Sequence, residues 1–277
     1  MQIKSFLAAA FLATSAAAVR TCGTADPTEV ELQAAENFRL MEASSRRAAN
    51  GTRAAGPIKI NVYWHVVSTS QSTAGGYIAQ ATLDEQLAVL NAAYAPHDIS
   101  FVSAGADWTT NSVWAADRSI PAMKAALRKG TYADLNVYFI PGTQYLGYAT
   151  FPTTVTPGST TFNNDGVVVL SSSVPGGSLA DYNLGHTATH EVGHWLGLFH
   201  TFQGGCTGDG DSVDDTPAEA TWSYGCQIGR DTCPNQPGLD SVTNYMNYSD
   251  DDCFDHFTPG QEARVYSQWD AFRASHQ

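Results

Sequence analysis

Basic residues are scarce in this 277-residue chain, where 14 Lys and Arg stand against 27 Asp and Glu for a formal net charge of -13. A surplus of negative charge repels phosphate backbones and anionic membrane surfaces, so the composition argues against a nucleic-acid-binding protein. Internal repeats are also absent. Hydrophobic residues nevertheless make up 43% of the chain and charged residues only 15%. That balance excludes a disordered or fibrous protein and indicates a globular one.

Long apolar runs are limited to one, at residues 6 to 19. This run is shorter than the roughly 20 residues that a transmembrane helix needs. It follows Lys4, and Ala16 and Ala18 give it the A-x-A arrangement that signal peptidase accepts, which predicts a secretory signal peptide at residues 1 to 18. We therefore expect a secreted, extracellular protein that does not associate with membranes.

Residues 19 to 53 combine alanines with Glu and Arg, and we interpret them as a helical pro-region. Arg46, Arg47 and Arg53 form a basic stretch where a processing protease could cut, with an ordinary charged linker as the alternative. The mature domain would then span residues 54 to 277, which is long enough for one sizeable core. No oligomerisation motif is visible, so a monomer is the default expectation.

Cysteine is sparse, and its distribution is uneven. Cys206, Cys226, Cys233 and Cys253 form an even set that suggests two disulfides in an exported protein, with three pairings open from sequence alone. Cys22 is left over and would leave with the pro-region. Glycosylation sequons begin at Asn50 and Asn247, but we expect the second of these asparagines to be buried.

Apolar patterns alternate along the middle of the chain. They predict strands at residues 58 to 67, 99 to 104, 135 to 140 and 166 to 170, with helices at residues 82 to 94 and 114 to 129, the second interrupted by Pro121. This order favours a mostly parallel sheet. Residues 201 to 257 are irregular, and Thr258 then caps a terminal helix. The prediction is an α+β fold with an α/β-like upper lobe and an irregular, disulfide-stapled lower lobe that ends in a helix.

Residues 190 to 200 contain the pattern that predicts a metal site. His190 and His194 lie four apart, so on a helix they share one face and can bind one zinc ion, with Glu191 directed toward a metal-bound water. Gly197 lets the helix end, and His200 completes the pattern H-E-x-x-H-x-x-G-x-x-H. Three neutral imidazoles leave a fourth coordination position open, as in a catalytic zinc site.

A second motif strengthens this interpretation. Residues 244 to 248 read N-Y-M-N-Y, and with the histidine pattern they resemble the metzincin zinc endopeptidases, in which a turn with a methionine, here Met246, lies beneath the metal. Residues 200 to 206, 215 to 217 and 257 to 261 are similar to the pappalysin type and its small secreted fungal members. The resemblance runs from the pro-region to the C-terminus. It implies a metzincin catalytic domain whose sheet has one antiparallel edge strand, near residues 148 to 151.

The resemblance also implies roles for other residues. Peptide bonds would be hydrolysed by a zinc-activated water with Glu191 as general base, while Tyr248 approaches the zinc or the oxyanion. Cys22, within R-T-C-G-T, would occupy the open zinc position and keep a zymogen inactive, with a free thiol as the alternative. The implied disulfides are Cys206–Cys233 and Cys226–Cys253.

Two further assignments concern the acidic lower lobe. Calcium accompanies the family that the chain resembles, and Asp211, Asp215 and Thr216 are candidate ligands, with a solvated acidic loop as the alternative. Asp252 follows the methionine turn, where the clan builds the pocket for the residue after the scissile bond. An aspartate there would favour Arg or Lys in the substrate, although a surface or calcium-bound aspartate is equally reasonable.

These features together predict a secreted zinc metalloendopeptidase that acts on protein or peptide substrates. The alternative is a catalytically silent secreted protein that keeps zinc for structure, but the intact Glu191 argues against it. His186 lies one turn before His190, and we place it at the pocket edge because a fourth protein ligand would close the zinc site.

Overall fold

A computed structural model describes residues 21–48 and 56–277. The predicted signal peptide lies outside these ranges, as do Asn50 and Arg53, and the side chains of Arg46 and Arg47 are not described either. None of the helices within the described ranges has the length and apolar character to cross a membrane.

The chain folds into helices and strands in the predicted alternation. The elements are α1 (Glu29–Ala48), β1 (Ile58–Ser68), α2 (Gln80–Tyr94), β2 (Ile99–Thr110), α3 (Ser112–Ala115), α4 (Ile120–Leu127), β3 (Leu135–Ile140), β4 (Gly147–Ala149), α5 (Thr160–Asn164), β5 (Val167–Leu170), α6 (His186–Trp195) and α7 (Pro259–Phe272). Short 3-10 turns lie at Thr73–Gly75, Ala95–His97, Ser171–Ser173, Asp251–Cys253 and Ala274–His276.

The five strands form one sheet in the order β2-β1-β3-β5-β4. Four strands are parallel, and β4 pairs antiparallel with β5 at the edge. The α+β fold with a mostly parallel sheet and one antiparallel edge strand is therefore confirmed. Every residue of β3 is buried, since helices cover both faces of the sheet. The larger apolar cluster lies on the face that carries α2, α6 and α7.

Two elements differ from their predicted bounds. The helix predicted at residues 114 to 129 is divided into α3 and α4, because Asp117 and Ser119 adopt left-handed φ values of 58° and 55° between them. Pro121 lies in the first turn of α4, where a backbone N–H would have no hydrogen-bond partner within the helix, so proline loses no hydrogen bond there. Strand β2 continues six residues beyond its predicted end, as it pairs with β1 as far as Ser68 and Thr110. Its second half is largely exposed and so lacks an apolar pattern.

The lower lobe has little regular structure and contains both disulfides. The bonds are Cys206–Cys233 and Cys226–Cys253, the pairing that the family resemblance implies. Helix α7 begins with the predicted capping box, in which Thr258 and Gln261 bond each other's backbone amides.

Helix α6 is tied down at its C-terminal end by a buried charge network. Arg273 lies 3.6 Å from the ring centroid of Trp195, donates to the Trp195 carbonyl and pairs with Asp165 at 3.0 Å. The Trp195 indole also donates to Asp165. Burial opposes the Asp165 charge, but the adjacent Arg273 and Arg128 still hold the pKa of this carboxyl below its usual value.

The N-terminal end of α6 is held from the lower lobe. Gly185 precedes the helix in a left-handed conformation and supplies no side-chain cap. Instead, Asp251 Oδ2 accepts hydrogen bonds from the amides of Leu184 at 2.8 Å and His186 at 3.3 Å. Asp251 thereby joins the segment after the methionine turn to the start of the metal-binding helix.

Helix α1 lies within the predicted pro-region and packs against α7. Arg264 pairs with Glu42 through two hydrogen bonds of 3.0 and 3.2 Å, and both side chains are buried. Phe38 meets Phe272 edge to face. A buried ion pair with two matched hydrogen bonds therefore anchors α1 to the C-terminal helix.

We predict that Glu42→Ala loosens α1, because it leaves the Arg264 charge buried without its carboxylate partner. Removal of one member of such a pair costs about 3 kcal/mol, which corresponds to roughly 100-fold faster amide exchange where exchange follows local opening. Hydrogen exchange of the full-length protein measures this. Glu36→Ala is the control, since Glu36 pairs with Arg39 at the partly exposed side of α1 and its loss should change exchange little. Equal exchange in the two variants would contradict the anchoring role.

We also predict that Asp251 makes the free energy of unfolding fall as pH rises from about 4 to about 6. Burial raises the pKa of Asp251 to about 6. The folded state therefore holds the proton more tightly than the unfolded chain, whose Asp has a pKa of about 3.9. Stability present below pH 4 is lost as the buried carboxyl ionises, by about 2 kcal/mol.

Asp251→Asn should remove this part of the pH dependence, because an amide oxygen can still accept both backbone hydrogen bonds. Urea unfolding at pH 4 and pH 7 measures the difference from the wild type. Asp252→Asn, at the exposed neighbour, is the matched control. The role assigned to Asp251 is wrong if its variant keeps the wild-type difference between the two pH values.

Candidate active site

Three histidine side chains converge at the end of α6. His194 Nε2 lies 3.1 Å from His190 Nε2 and 3.1 Å from His200 Nε2, and all three rings are buried. The ligand atoms of these histidines and of Cys22 all lie within 4.8 Å of one another. Among the residues that the structure describes, this is the group of His, Cys and acidic side chains that could hold a metal ion.

The hydrogen bonds of the rings prepare them as ligands. The Nδ1 atoms of His190 and His194 each lie 2.7 Å from a backbone carbonyl, of Tyr245 and Leu198 respectively. Each Nδ1–H therefore donates to its carbonyl, which leaves the Nε2 lone pair directed at the other rings. Burial lowers the pKa of His190 to about 4 and holds the pKa values of His194 and His200 well below the usual value, so the imidazoles stay neutral.

This donor set fits a zinc ion. Neutral lone pairs that face one another at 3.1 Å repel unless an electrophile lies between them. Three imidazole nitrogens, two of them on rings that donate to backbone carbonyls, together with room for a fourth ligand, are the arrangement of catalytic zinc sites.

Glycines permit the close approaches around the three rings. Gly197 ends α6 at φ +94°, and a side chain there would meet Gln268 at 2.5 Å. Gly193 faces Met246, whose sulfur lies 2.4 Å from where a Cβ would be. The fully buried Met246 therefore packs directly against the metal-binding helix, as the methionine-turn motif predicts.

The methionine turn is itself held by side chains. The Met246 amide donates to the Asn244 side chain, which is paired with Gln261 of α7. The Asn247 side-chain amide donates to the Glu219 carboxylate, and the Asn247 side chain is buried. Its sequon is thus inaccessible in the folded protein.

Glu191 follows His190 on the same helix and is almost fully buried. Burial raises the pKa of Glu191 to about 8. Its Oε2 atom accepts hydrogen bonds from the Thr24 hydroxyl at 3.0 Å and from the Cys22 thiol at 3.5 Å. Within the described part of the chain, its Oε1 atom has no hydrogen-bond partner. Gly147 of β4 leaves the space that the Glu191 side chain fills.

Tyr248 stands on the other side of the histidines. Its hydroxyl lies 3.1 Å from His200 Nε2, and its ring packs against Phe202 and Trp222. Burial raises the pKa of Tyr248 well above its usual value, so the phenol keeps its proton and can donate it in a hydrogen bond.

Residues 21–24, which we call the blocking segment, run along the edge strand β4. Gly23 donates to the Gly147 carbonyl at 2.8 Å, and Leu146 donates to the Thr21 carbonyl at 3.0 Å. These bonds bring Cys22 to the histidines, where burial and then the adjacent Glu191 raise the pKa of its thiol. Sequence reasoning found Cys22 through its motif.

A cavity opens between Glu191 and the lower lobe. Its wall includes His186, Tyr182, Phe254 and Asp251. His186 thus lies at the cavity and outside the cluster of ligand atoms, as the sequence predicts. Asp252 is exposed and does not line this cavity, whereas its neighbour Asp251 does.

The candidate calcium ligands divide into two groups. Thr216 donates to Asp211 Oδ1 at 2.6 Å, and burial raises the pKa of Asp211 to about 7. Asp215 instead accepts bonds from the Thr258 hydroxyl and the Gly260 amide at the start of α7. The structure therefore brings Asp211 and Thr216 together, while Asp215 serves the helix terminus.

Sequence reasoning missed three contributors to the site. Thr24 contacts Glu191, Asp251 holds the start of α6, and the Asp165–Arg273 pair holds its end. Each contact joins residues more than 60 positions apart, so no local spacing could have revealed it. The T-C-G-T motif around Cys22 was the one available signal for Thr24.

Known proteins are similar to this chain in sequence. The model of peptidase family M43, described as pregnancy-associated plasma protein-A, matches residues 135–270. An "Extracellular metalloprotease" of Colletotrichum graminicola is 66% identical over 100% of both chains. An "Extracellular metalloprotease" of Verticillium alfalfae is 54% identical over 91% of this chain and 90% of the relative.

Solved structures of mirolysin from Tannerella forsythia share the fold. Mature mirolysin in complex with a cleaved peptide is 28% identical, with a TM-score of 0.64 over 78% of this chain and 93% of mirolysin. A promirolysin mutant is 27% identical, with a TM-score of 0.68 over 91% of this chain and 94% of the proenzyme. The chain therefore belongs to the pappalysin-type metalloproteases of peptidase family M43, and it is an extracellular zinc metalloendopeptidase with a metzincin fold.

Proposed function

We propose that the protein is secreted through a signal peptide at residues 1 to 18 and is made as a zymogen. Removal of residues 19 to 53 would leave the mature domain at residues 54 to 277. The observation that carries this proposal is the position of Cys22, whose sulfur lies with the three histidine nitrogens as a potential fourth ligand. Similarity to a promirolysin, whose name denotes a proenzyme, supports it.

The mature enzyme would hydrolyse peptide bonds with zinc held by His190, His194 and His200. A zinc ion in such a site acts as a Lewis acid toward water and the scissile carbonyl. Glu191 is the general base: it takes the proton of the attacking water and delivers it to the leaving amine. It follows His190 on the same helix, so its carboxylate is held beside the proposed zinc ligands.

The edge strand would position the substrate. The blocking segment shows that the Gly147 carbonyl and the Leu146 and Ala149 amides can bond an extended chain beside Glu191. A substrate that adds to β4 in the same place lays its scissile bond across the histidines. The Tyr248 hydroxyl, next to His200, then donates a hydrogen bond to the developing oxyanion.

Several finer assignments belong to the same proposal. Asp211 and Thr216 would contribute to a calcium site, since a buried carboxylate oxygen is a ligand that calcium prefers. Asp215 would join them only by giving up its bonds to the start of α7. The negative net charge favours an enzyme that binds no nucleic acid, and we propose a monomer. Protein or peptide chains are the substrates.

We predict that Glu191→Ala lowers kcat/KM for casein or gelatin by about 10²–10⁴-fold, because the general base is lost while the zinc ligands stay. The measurement uses processed protein, with zinc content determined for each sample and a chelated wild type beside it. Glu85→Ala, at an exposed position of α2, is the control and should keep wild-type activity. Correctly processed wild type that binds zinc and cleaves nothing would instead favour a zinc-binding protein without catalysis.

We further predict that the exposed Asp252 favours Arg or Lys after the scissile bond, through a charge-assisted hydrogen bond. Cleavage of a peptide library by the wild type should enrich basic residues there, and Asp252→Asn should reduce that enrichment by about tenfold. Absence of enrichment in the wild type removes Asp252 from the specificity assignment and leaves the catalytic proposal intact.

A further inference from the structure

Thr24, like its neighbour Cys22, contacts the catalytic machinery. Its hydroxyl lies 3.0 Å from Glu191 Oε2 and 2.9 Å from the Ala149 amide of β4. Its own amide donates to Cys22 Sγ at 3.2 Å. One residue therefore contacts the proposed general base, the edge strand and the proposed zinc-binding thiol.

The directions of these bonds are fixed by chemistry. The Ala149 amide can only donate, so it uses a lone pair of the Thr24 oxygen. The single hydroxyl proton is then available for a hydrogen bond to Glu191, and Glu191 Oε2 accepts that bond. Thr24 thus acts as an acceptor toward the strand and as a donor toward the base at the same time.

Thr24 contacts both Cys22 and Glu191. Their side chains lie 3.5 Å apart in a buried site, where the thiol donates a weak hydrogen bond to Glu191 Oε2. The Thr24 amide and hydroxyl supply one hydrogen bond to each of these groups. A residue without the hydroxyl would leave Glu191 with the thiol as its remaining hydrogen-bond partner among the described residues.

We propose that Thr24 is a second inhibitory residue of the zymogen, which occupies the general base while Cys22 occupies the fourth zinc position. The Thr24 hydroxyl oxygen also takes the place of a substrate carbonyl at the Ala149 amide. The inference rests on the proposed roles of Glu191 and Cys22. It adds that latency depends on a hydrogen bond to the base as well as on the thiol.

The test compares full-length Thr24→Val and Thr24→Ser with the wild type, all loaded with zinc. Valine keeps the size of the side chain and removes the hydroxyl, whereas serine keeps the hydroxyl. Thr24→Val should raise the initial hydrolysis rate of the uncut protein about tenfold, as expected for loss of one buried hydrogen bond. Thr24→Ser should stay near the wild type, and a gel confirms that the chain is uncut.

A second readout does not depend on hydrolysis. The rate at which a maleimide alkylates Cys22 in the full-length chain should rise about tenfold in Thr24→Val. The same substitution should have a much smaller effect in a Glu191→Ala background, because the partner of the hydroxyl is already absent. Equal effects in both backgrounds would mean that Thr24 only docks the segment, and would overturn the proposal.

Processing supplies the matched control. Cleavage after the pro-region removes Thr24, so all three proteins yield the same mature chain and must have equal kcat/KM. Inactive mature chains would count against the proposed catalytic function. If the mature chains are active but the Thr24→Val precursor is as inactive as the wild-type precursor, the role of Thr24 is overturned and the proposed function is unaffected.

Discussion

The convergence of three imidazole nitrogens in one buried place is the constraint on which the rest of the structure depends. The rings of His190 and His194 come from one helical face, but His200 reaches them only because the chain reverses at Gly197. Uncharged nitrogens held this close to one another are unfavourable without a cation. The surrounding fold must therefore hold the rings in position against their own repulsion.

That requirement explains where the protein places its buried charges. Arg273 and Asp165 fix the last residue of α6, and Asp251 accepts the amides at its first turn. The methionine side chain fills the space under the helix, where Gly193 admits it. Glu191 benefits from the same support because it belongs to the same rigid helix as two of the ligands. The same contacts therefore position the proposed zinc ligands and the proposed general base.

The sequence predicts the parts of this arrangement that depend on local spacing. The histidine pattern, the capping box at Thr258 and the apolar strands can be recognised because each rule acts over a few residues. The exposed half of β2 has no such pattern, since its pairing with β1 is backbone-driven. The overall sheet, the edge strand and the disulfide pairing are predicted by the family resemblance and not by local spacing.

Local sequence patterns do not predict contacts between distant segments. Three consecutive aspartates follow the methionine turn, and nothing in their spacing tells which one faces the cavity. The structure gives that place to Asp251, while Asp252 is exposed. Local spacing does not predict the pairing of Glu42 with Arg264 either. In the sequence each residue is typical of a helix surface, and the two become buried only when α1 packs against α7.

The anchoring of α1 on α7 has a consequence for how the proposed latency would end. The blocking segment and α1 precede the catalytic domain on one covalent chain, so they bind it at the high effective concentration of an intramolecular contact. A single cut between α1 and β1 turns the same contacts into those of a separate peptide, which diffuses away on dilution. Activation is then irreversible in a large extracellular volume, although the peptide and the enzyme could still recombine where the enzyme is concentrated.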